Sequence, residues 1–182
     1  TKEILNKLGI NKSYIIYVGN VYPHKNLPRL VIAFSKLITK YSLDLQLVFV
    51  GSKDKYRETI NQLTVESDLG NRVVFTDFLT DEELGVVYSQ AAVCVHPSLA
   101  EGFGLGVLEA FAYKVPLVSS NATSLPEVAG DAAIYFNPLN VNEMAEKIFE
   151  CLSNQNLADS LVKKGTKQLL KFDFKNTAKQ TY

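Results

Sequence analysis

The chain has 182 residues, of which 47% are hydrophobic, and this is enough for one compact domain with a buried core. Lysine plus arginine and aspartate plus glutamate number 19 each, so the formal net charge is zero. This balance argues against the broad basic surface with which proteins bind nucleic acid. No apolar run approaches the roughly 20 residues that a membrane-spanning helix requires, and no signal peptide is recognisable. The two cysteines, Cys94 and Cys151, lack metal-ligand spacing, which predicts free thiols in a reducing compartment such as the cytoplasm.

Short β-rich runs alternate with helical patterns along the chain. Near-continuous apolar runs, which are typical of parallel strands, predict strands at residues 14–18, 45–50, 72–75, 92–95, 116–119 and 132–136. Apolar residues at helical spacing predict amphipathic helices at 27–41, with Pro28 in the first turn, and after Asn140. Thr80 and Glu83 form a capping-box pattern before a further helix. A last helix is predicted at 156–171, although Gly165 interrupts its pattern.

Strands that alternate with helices favour βαβ units, and therefore an open, doubly wound parallel α/β sheet in a single Rossmann-like domain. In such sheets the ligand lies beyond the carboxyl ends of the strands. Residues that directly follow strands should therefore meet at one edge of the sheet. These residues are Gly19 and Asn20, Gly51 and Ser52, and the segments 76–78, 97–104 and 119–123.

A glycine run between two carboxylates is the most informative segment of the sequence. Gly102, Gly104 and Gly106 lie between Glu101 and Glu109, and the apolar residues that follow predict a helix. A glycine loop that leads into a helix N-terminus is an anion site, because free N–H groups and the helix dipole both point at the ligand. The carboxylates would repel a phosphate, so we expect them to bind hydroxyl groups. The segment therefore predicts a phosphorylated sugar or a nucleotide sugar as the ligand.

Other polar residues have both a functional and a structural interpretation. Lys25 lies near a helix start, where it would either meet a diphosphate or simply be solvated. His96 follows a strand, and it either lines the site or packs at the strand end. Ser124 and Glu127 match a capping box with a proline in the first turn, so Glu127 is interpreted first as a cap. The two histidines are far apart and no Asp-x-Asp pair occurs, so no metal site is expected.

Three other functions compete with sugar binding. A nicotinamide-dependent oxidoreductase shares the fold, but its glycine fingerprint would follow the first strand and would place a glycine at Val107. A non-catalytic binding module would keep the fold without nucleotide affinity. A glycosidase with paired carboxylates is a weaker alternative, because an anion-binding loop between its two acids has no purpose.

Three segments carry a resemblance to a known family: GNVYPHKNL (19–27), PSLAEGFGLGVLEAFA (97–112) and PLVSSNATSLPEVAGDAAIYFNP (116–138). Together they resemble the C-terminal, donor-binding domain of retaining glycosyltransferases with the GT-B fold. Within that fold the segments look like those of the bacterial "glycosyl transferases group 1", which build lipopolysaccharide, capsule and other glycans and include mannosyltransferases. The resemblance extends from about residue 14 to about residue 152, and residues 101–109 match the family's Glu-x7-Glu motif.

The resemblance implies roles for individual residues, and it implies no metal or other cofactor. Glu109 would bind the ribose hydroxyls, and Glu101 would bind the hydroxyls of the donor sugar. Lys25 would neutralise the leaving nucleoside diphosphate, so that Glu101 and Lys25 would be the catalytic residues. The backbone N–H groups of residues 103–105 would hold the diphosphate of a GDP- or UDP-sugar, and the loop 76–79 would line the base. The implied donor-binding residues are Gly19, Asn20, Lys25, Thr76, Asp77, Phe78, Leu79, Glu101, Gly102, Phe103, Gly104, Leu105 and Glu109.

The chain departs from the family pattern at two positions. Many members have arginine where this chain has Asn20, which removes one of two cations near the diphosphate and supports the non-catalytic alternative. Many have proline where this chain has Gly106, which costs rigidity but is expected to remove no contact.

The resemblance also implies a domain organisation. GT-B enzymes work in a cleft between two domains, so residues 1–182 would be the donor domain, and an acceptor domain would precede them in a longer protein. The acceptor domain would bind a glycan or a lipid-linked sugar and would supply any peripheral association with the membrane. We expect this chain alone to bind its donor weakly and to transfer nothing.

Overall fold

Six parallel strands form one sheet in the computed structural model, which describes residues 1–51 and 56–172. Each strand begins and ends within one residue of its predicted position. Ser52, which was expected at the ligand-binding edge, lies outside the described residues. The strands are β1 (Ser13–Val18), β2 (Leu45–Val50), β3 (Val73–Thr76), β4 (Val93–His96), β5 (Leu117–Ser120) and β6 (Ala133–Phe136).

The order of the strands confirms the predicted doubly wound fold. The sheet runs β3-β2-β1-β4-β5-β6, and every neighbouring pair is parallel. The chain therefore winds outward from β1 in one direction and from β4 in the other. Ile15 of β1 pairs with Val93 of β4, so these two strands are adjacent although many residues separate them. A crevice opens at the carboxyl ends of two strands at such a switch point, and this is where open α/β sheets bind ligands.

The helices agree with the sequence patterns, and their caps are partly as predicted. The Thr80–Glu83 capping box is formed, and the side chain of Asn140 accepts a hydrogen bond from the N–H of Glu143 at 3.1 Å. Within residues 1–51 and 56–172, none of the helices has the length and the apolar composition that a membrane span requires. The helices are α1 (Lys2–Lys7), α2 (Leu27–Tyr41), α3 (Arg57–Glu66), α4 (Asp81–Ser89), α5 (Leu105–Ala112), α6 (Leu125–Ala129), α7 (Val141–Ser153) and α8 (Gln155–Leu169).

The predicted capping box at Ser124 is wrong. Ser124 does precede α6, but its side chain makes no hydrogen bond to the backbone of that helix. Its hydroxyl instead donates to the carbonyl oxygen of Glu101, 23 residues earlier in the chain, at 3.1 Å. The Ser124 hydroxyl therefore forms a tertiary hydrogen bond instead of capping the helix. Ser124 and Glu127 do not form a capping box.

Apolar layers cover both faces of the sheet. Ile15 and Tyr17 of β1 pack into the layer that contains the core residues of α2 and α7. Tyr14 and Ile16 point the other way, into the layer formed with α4, α5 and α6. Because β1 is buried on both faces, its sequence is apolar without alternation. Both cysteines are free and buried, as expected.

Replacing Gly165 by alanine should destabilise the protein, although alanine favours helices. Helix α8 runs through Gly165, and a Cβ there would lie 2.5 Å from Cδ1 of Phe111, a buried residue of α5. Overpacking costs about 1–3 kcal/mol, against a gain of about 1 kcal/mol in helix propensity. Gly85→Ala in α4 is the matched control, because its Cβ would make an ordinary 3.4 Å contact with Tyr113. In urea unfolding, equal stabilities of the two variants would contradict this reasoning.

Candidate functional site

Eight of the thirteen predicted donor-binding residues line one cavity at the carboxyl ends of β1 and β4. The cavity has a volume of about 360 Å³. Three larger cavities among the described residues lie away from this edge. Those of about 440 and 560 Å³ include residues that precede strands, at the opposite edge of the sheet, and one of about 400 Å³ lies on the surface of α2 beside the start of α7. Ligands of such folds bind at the carboxyl ends of the strands instead. The cavity of about 360 Å³ is lined by residues 18–20 at the end of β1, by Lys25 and His96, and by Glu101, residues 103–106 and Glu109.

Lys25 and Glu101 form an ion pair inside the cavity. Lys25 Nζ lies 2.7 Å from Oε1 and 2.9 Å from Oε2 of Glu101, and the hydroxyl of Ser98 donates to Oε1 at 2.7 Å. The two charged side chains are only 15% and 12% exposed. Burial by itself raises the pKa of the Glu101 carboxyl, but the hydrogen bonds from Lys25 and Ser98 outweigh it and lower this pKa. Glu101 is therefore an anion held in one orientation.

Two hydrogen bonds fix the backbone of Glu101 to the loop after β5. Its N–H donates to the hydroxyl of Thr123 at 3.0 Å, and its carbonyl accepts the bond from Ser124. The segment 119–123 was expected at this edge, and these bonds confirm that its end lies there. The loop that carries Glu101 is therefore held in place by the loop after β5, which comes later in the chain.

The glycine run forms the start of α5, as predicted. Gly104 has a φ of +101° and lies at the N-cap position, where it offers no capping side chain. The positive φ favours glycine, and a Cβ at Gly104 would also lie 3.0 Å from the side chain of Leu125, which would have to move. The first N–H groups of a helix have no acceptor within the helix, and they carry the positive end of its dipole. This terminus faces the cavity and can hold an anion.

Glu109 lies one turn into α5, and a buried tyrosine orients it. The hydroxyl of Tyr88 in α4 donates to Oε2 of Glu109 at 3.0 Å. Tyr88 is fully buried, and its ring stacks on Tyr113 with centroids 4.8 Å apart. Burial raises the pKa of Tyr88, so its hydroxyl remains a donor at neutral pH. Sequence patterns indicated Tyr88 only as a core position, and nothing in the local sequence links it to Glu109.

His96 lies on the wall of the cavity and is 4% exposed. Neither of its ring nitrogens has a hydrogen-bond partner among the described residues. Burial lowers its pKa to about 4, so the imidazole is neutral at physiological pH. The ring lies against Gly106, where a Cβ would collide with Nε2 and Cε1 of His96. The glycine at 106 therefore makes room for His96, a contact that the sequence did not predict.

The loop 76–79 belongs to the predicted site but does not line this cavity. Thr76 and Leu79 are buried, and Leu79 packs into the core beside α4. Asp77 forms an ion pair with Arg57 at 2.5 Å, and Phe78 is 88% exposed. Gly102 also lies outside the lining, whereas Gly19 and Asn20 belong to it. The base-binding role of the loop remains a prediction.

The charges around the cavity are few. Of the described residues that line it, Lys25 carries the positive charge, and Asn20 stands where the family pattern has a second cation. Among the described residues no group of three or more histidine, cysteine, aspartate or glutamate side chains could hold a metal ion. A negatively charged ligand would therefore meet one ammonium group and a helix terminus.

Comparison with known proteins gives one family. The family described as "Glycosyl transferases group 1" matches residues 1–168. The O-antigen chain mannosyltransferase B of Escherichia coli is 31% identical over 170 residues, which are 93% of this chain and 45% of that protein. The chain therefore spans less than half the length of this curated relative.

Solved structures show the same fold. Sucrose-phosphate synthase from Thermosynechococcus elongatus superposes with a TM-score of 0.85 at 28% identity, over 100% of this chain and 47% of that one. HepE from Anabaena, solved with UDP and glucose, also gives a TM-score of 0.85, at 20% identity over 99% of this chain and 50% of that one. Because HepE is only 20% identical to this chain, its similarity is evidence for a shared fold and not for a shared function.

Proposed function

Because the chain belongs to the family "Glycosyl transferases group 1", we propose that it is the donor-binding domain of a retaining, metal-independent hexosyltransferase. The donor is a nucleotide sugar, and the acceptor is a glycan or a lipid-linked sugar. The observation that carries the proposal is the convergence of a lysine–glutamate ion pair, a glycine-capped helix N-terminus and a second glutamate on one cavity.

Each part of the cavity matches one part of a nucleotide sugar. The terminus of α5 and Lys25 stabilise the negative charge that develops on the leaving diphosphate. The Lys25 side chain is only 15% exposed, so water weakens its interaction with that charge less than at the surface. Glu101 accepts hydrogen bonds from sugar hydroxyls and positions the sugar for transfer. Glu109, with its Oε2 held by Tyr88, accepts hydrogen bonds from the ribose. No step in this arrangement requires a metal ion.

A second domain is part of the proposal, because the chain covers only 45–50% of the proteins compared above. The acceptor would enter from that domain and face the open side of the cavity. The name of the E. coli relative makes mannose the first sugar to test. Retention of configuration would be measured by NMR on the glycosidic product of the two-domain protein.

Glu109→Gln should weaken nucleotide binding by about 10- to 100-fold, the worth of a charge-assisted hydrogen bond. The measurement is calorimetric or thermal-shift titration of this chain with GDP, UDP, ADP and NAD. We expect one nucleoside diphosphate to stabilise the wild-type chain. Glu143→Gln is the matched control, since Glu143 lies in the first turn of α7 and outside the cavity.

The competing functions predict other outcomes of the same titration. Stabilisation by NAD alone would support an oxidoreductase. No stabilisation by any nucleotide would support a non-catalytic module and would contradict the proposed function. Equal binding by wild-type protein and Glu109→Gln would remove Glu109 from the site while leaving a nucleotide-binding domain.

A further inference from the structure

His96 is a buried polar side chain at the wall of the cavity, and its ring lies against the backbone of Gly106. It is 4% exposed, and neither Nδ1 nor Nε2 forms a hydrogen bond within the described residues. A polar group buried in this way costs free energy unless a ligand or a water molecule satisfies it. The ring lines the same cavity as Lys25 and Glu101, so it lies beside a ligand that binds there.

The surroundings of His96 keep this ring at the cavity wall. His96 is the last residue of β4, and its ring lies 6.2 Å from that of Tyr17, centroid to centroid. On the other side it lies against the backbone of Gly106, where any side chain would displace it. A residue with a Cβ at 106 would thus move the imidazole. Glycine at position 106 therefore leaves the space that the His96 ring occupies.

We propose that His96 forms a hydrogen bond with a hydroxyl group of the transferred sugar and thereby contributes to donor specificity. This inference rests on the proposed function. A neutral imidazole has one donor and one acceptor, as a hydroxyl group does, whereas a diphosphate attracts cations. The Lys25 ammonium and the helix terminus in this cavity already suit the diphosphate. Glu101, the carboxylate assigned to the sugar, shares the cavity with His96.

The test compares donors with and without their sugar. Affinities of the chain for GDP and GDP-mannose, and for UDP and UDP-glucose, are measured for wild type, His96→Phe and His96→Gln. Phenylalanine keeps a ring but no nitrogen, and glutamine keeps a donor and an acceptor near the position of Nε2. We expect His96→Phe to weaken binding of the sugar nucleotide by about three- to tenfold, the worth of one hydrogen bond, and to leave binding of the free nucleotide unchanged. His96→Gln should recover part of the loss.

NMR supplies a measurement that a purely structural role would not change. The chain has two histidines, so the ring nitrogen-15 signals of His96 and of exposed His24 can be assigned with single variants. We expect the His96 signals to shift further with the sugar nucleotide than with the free nucleotide. His24 serves as the internal reference.

The outcomes separate this inference from the proposed function. If His96→Phe lost equal affinity for the free nucleotide and for the sugar nucleotide, His96 would contact the nucleotide. This result would overturn the inference but not the proposed function. Unchanged binding of all four ligands would make His96 structural and would also overturn it. A wild-type chain that binds none of the four would contradict the proposed function, and the inference would fall with it. Thermal melting of each variant confirms that it is folded.

Discussion

Lys25→Met should lower the free energy of unfolding by about 2–3 kcal/mol. Lys25 Nζ lies within 2.9 Å of both oxygens of Glu101, in a pair whose side chains are at most 15% exposed. Removing one partner of a buried ion pair costs about 3–5 kcal/mol, because the other charge is left without compensation, and partial solvent contact reduces this figure here. Urea unfolding at neutral pH measures the change.

Lys40→Met is the matched control for this prediction. Lys40 also binds a glutamate, Glu146, at 3.1 Å, but the two side chains are 56% and 55% exposed. Exposed pairs contribute little to stability, so this variant should unfold close to the wild type. If Lys25→Met and Lys40→Met lowered the free energy of unfolding by similar amounts, burial would not determine how much the Lys25–Glu101 pair contributes to stability. The double variant K25M/E101Q should recover most of the loss, since it removes both charges together.

The free energy of unfolding should fall as the pH is lowered from about 6.5 to about 4, because of His96. Burial lowers the pKa of this histidine from 6.5 to about 4 in the folded protein. Between these values the unfolded chain binds a proton that the folded chain does not, so acid favours unfolding. A shift of this size corresponds to at most about 3 kcal/mol across the interval.

The charged groups beside His96 act in opposite directions on this pKa. The Glu101 carboxylate raises it, and the Lys25 ammonium lowers it. The lowered pKa of Glu101 adds a loss of stability in the same direction, but only below about pH 4.5. His96→Phe should therefore flatten the pH dependence between 6.5 and 4.5. Chemical unfolding at four or five pH values measures this slope, and an unchanged slope in the variant would contradict the assignment to His96.

The paired carboxylate and ammonium bear on catalysis as well as on stability. Before any donor binds, Glu101 holds the Lys25 ammonium at the cavity wall through two hydrogen bonds. In the proposed reaction a diphosphate would therefore meet a cation already in position, which avoids reorganisation during transfer. The stability of the pair and the function of the site depend on the same contact, so Lys25→Met should impair both.

Much of the fold could be predicted from the sequence, because its signals are local. The apolar runs at 45–50 and 132–136, the helical spacing of 27–41 and the capping box at Thr80 each depend on residues within a few positions of one another. Parallel strands also place their carboxyl ends at one edge. The meeting of Gly19, Lys25, Glu101 and Glu109 at one cavity therefore followed from their positions after strands and at helix starts.

Tertiary structure decided the partners of those residues, because contacts between distant segments leave no local pattern. Ser124 was predicted as a cap, but it binds the Glu101 carbonyl 23 residues away. Tyr88 looked like any core residue of a helix, and only packing of α4 on α5 brings its hydroxyl to Glu109. In the sequence, glycine at position 106 indicated only a less rigid helix start. The packing of β4 beside α5 shows that the absence of a side chain there accommodates the His96 ring. The sequence alone determined where the chemical groups collect, and the packing of segments distant in sequence determined which atoms meet.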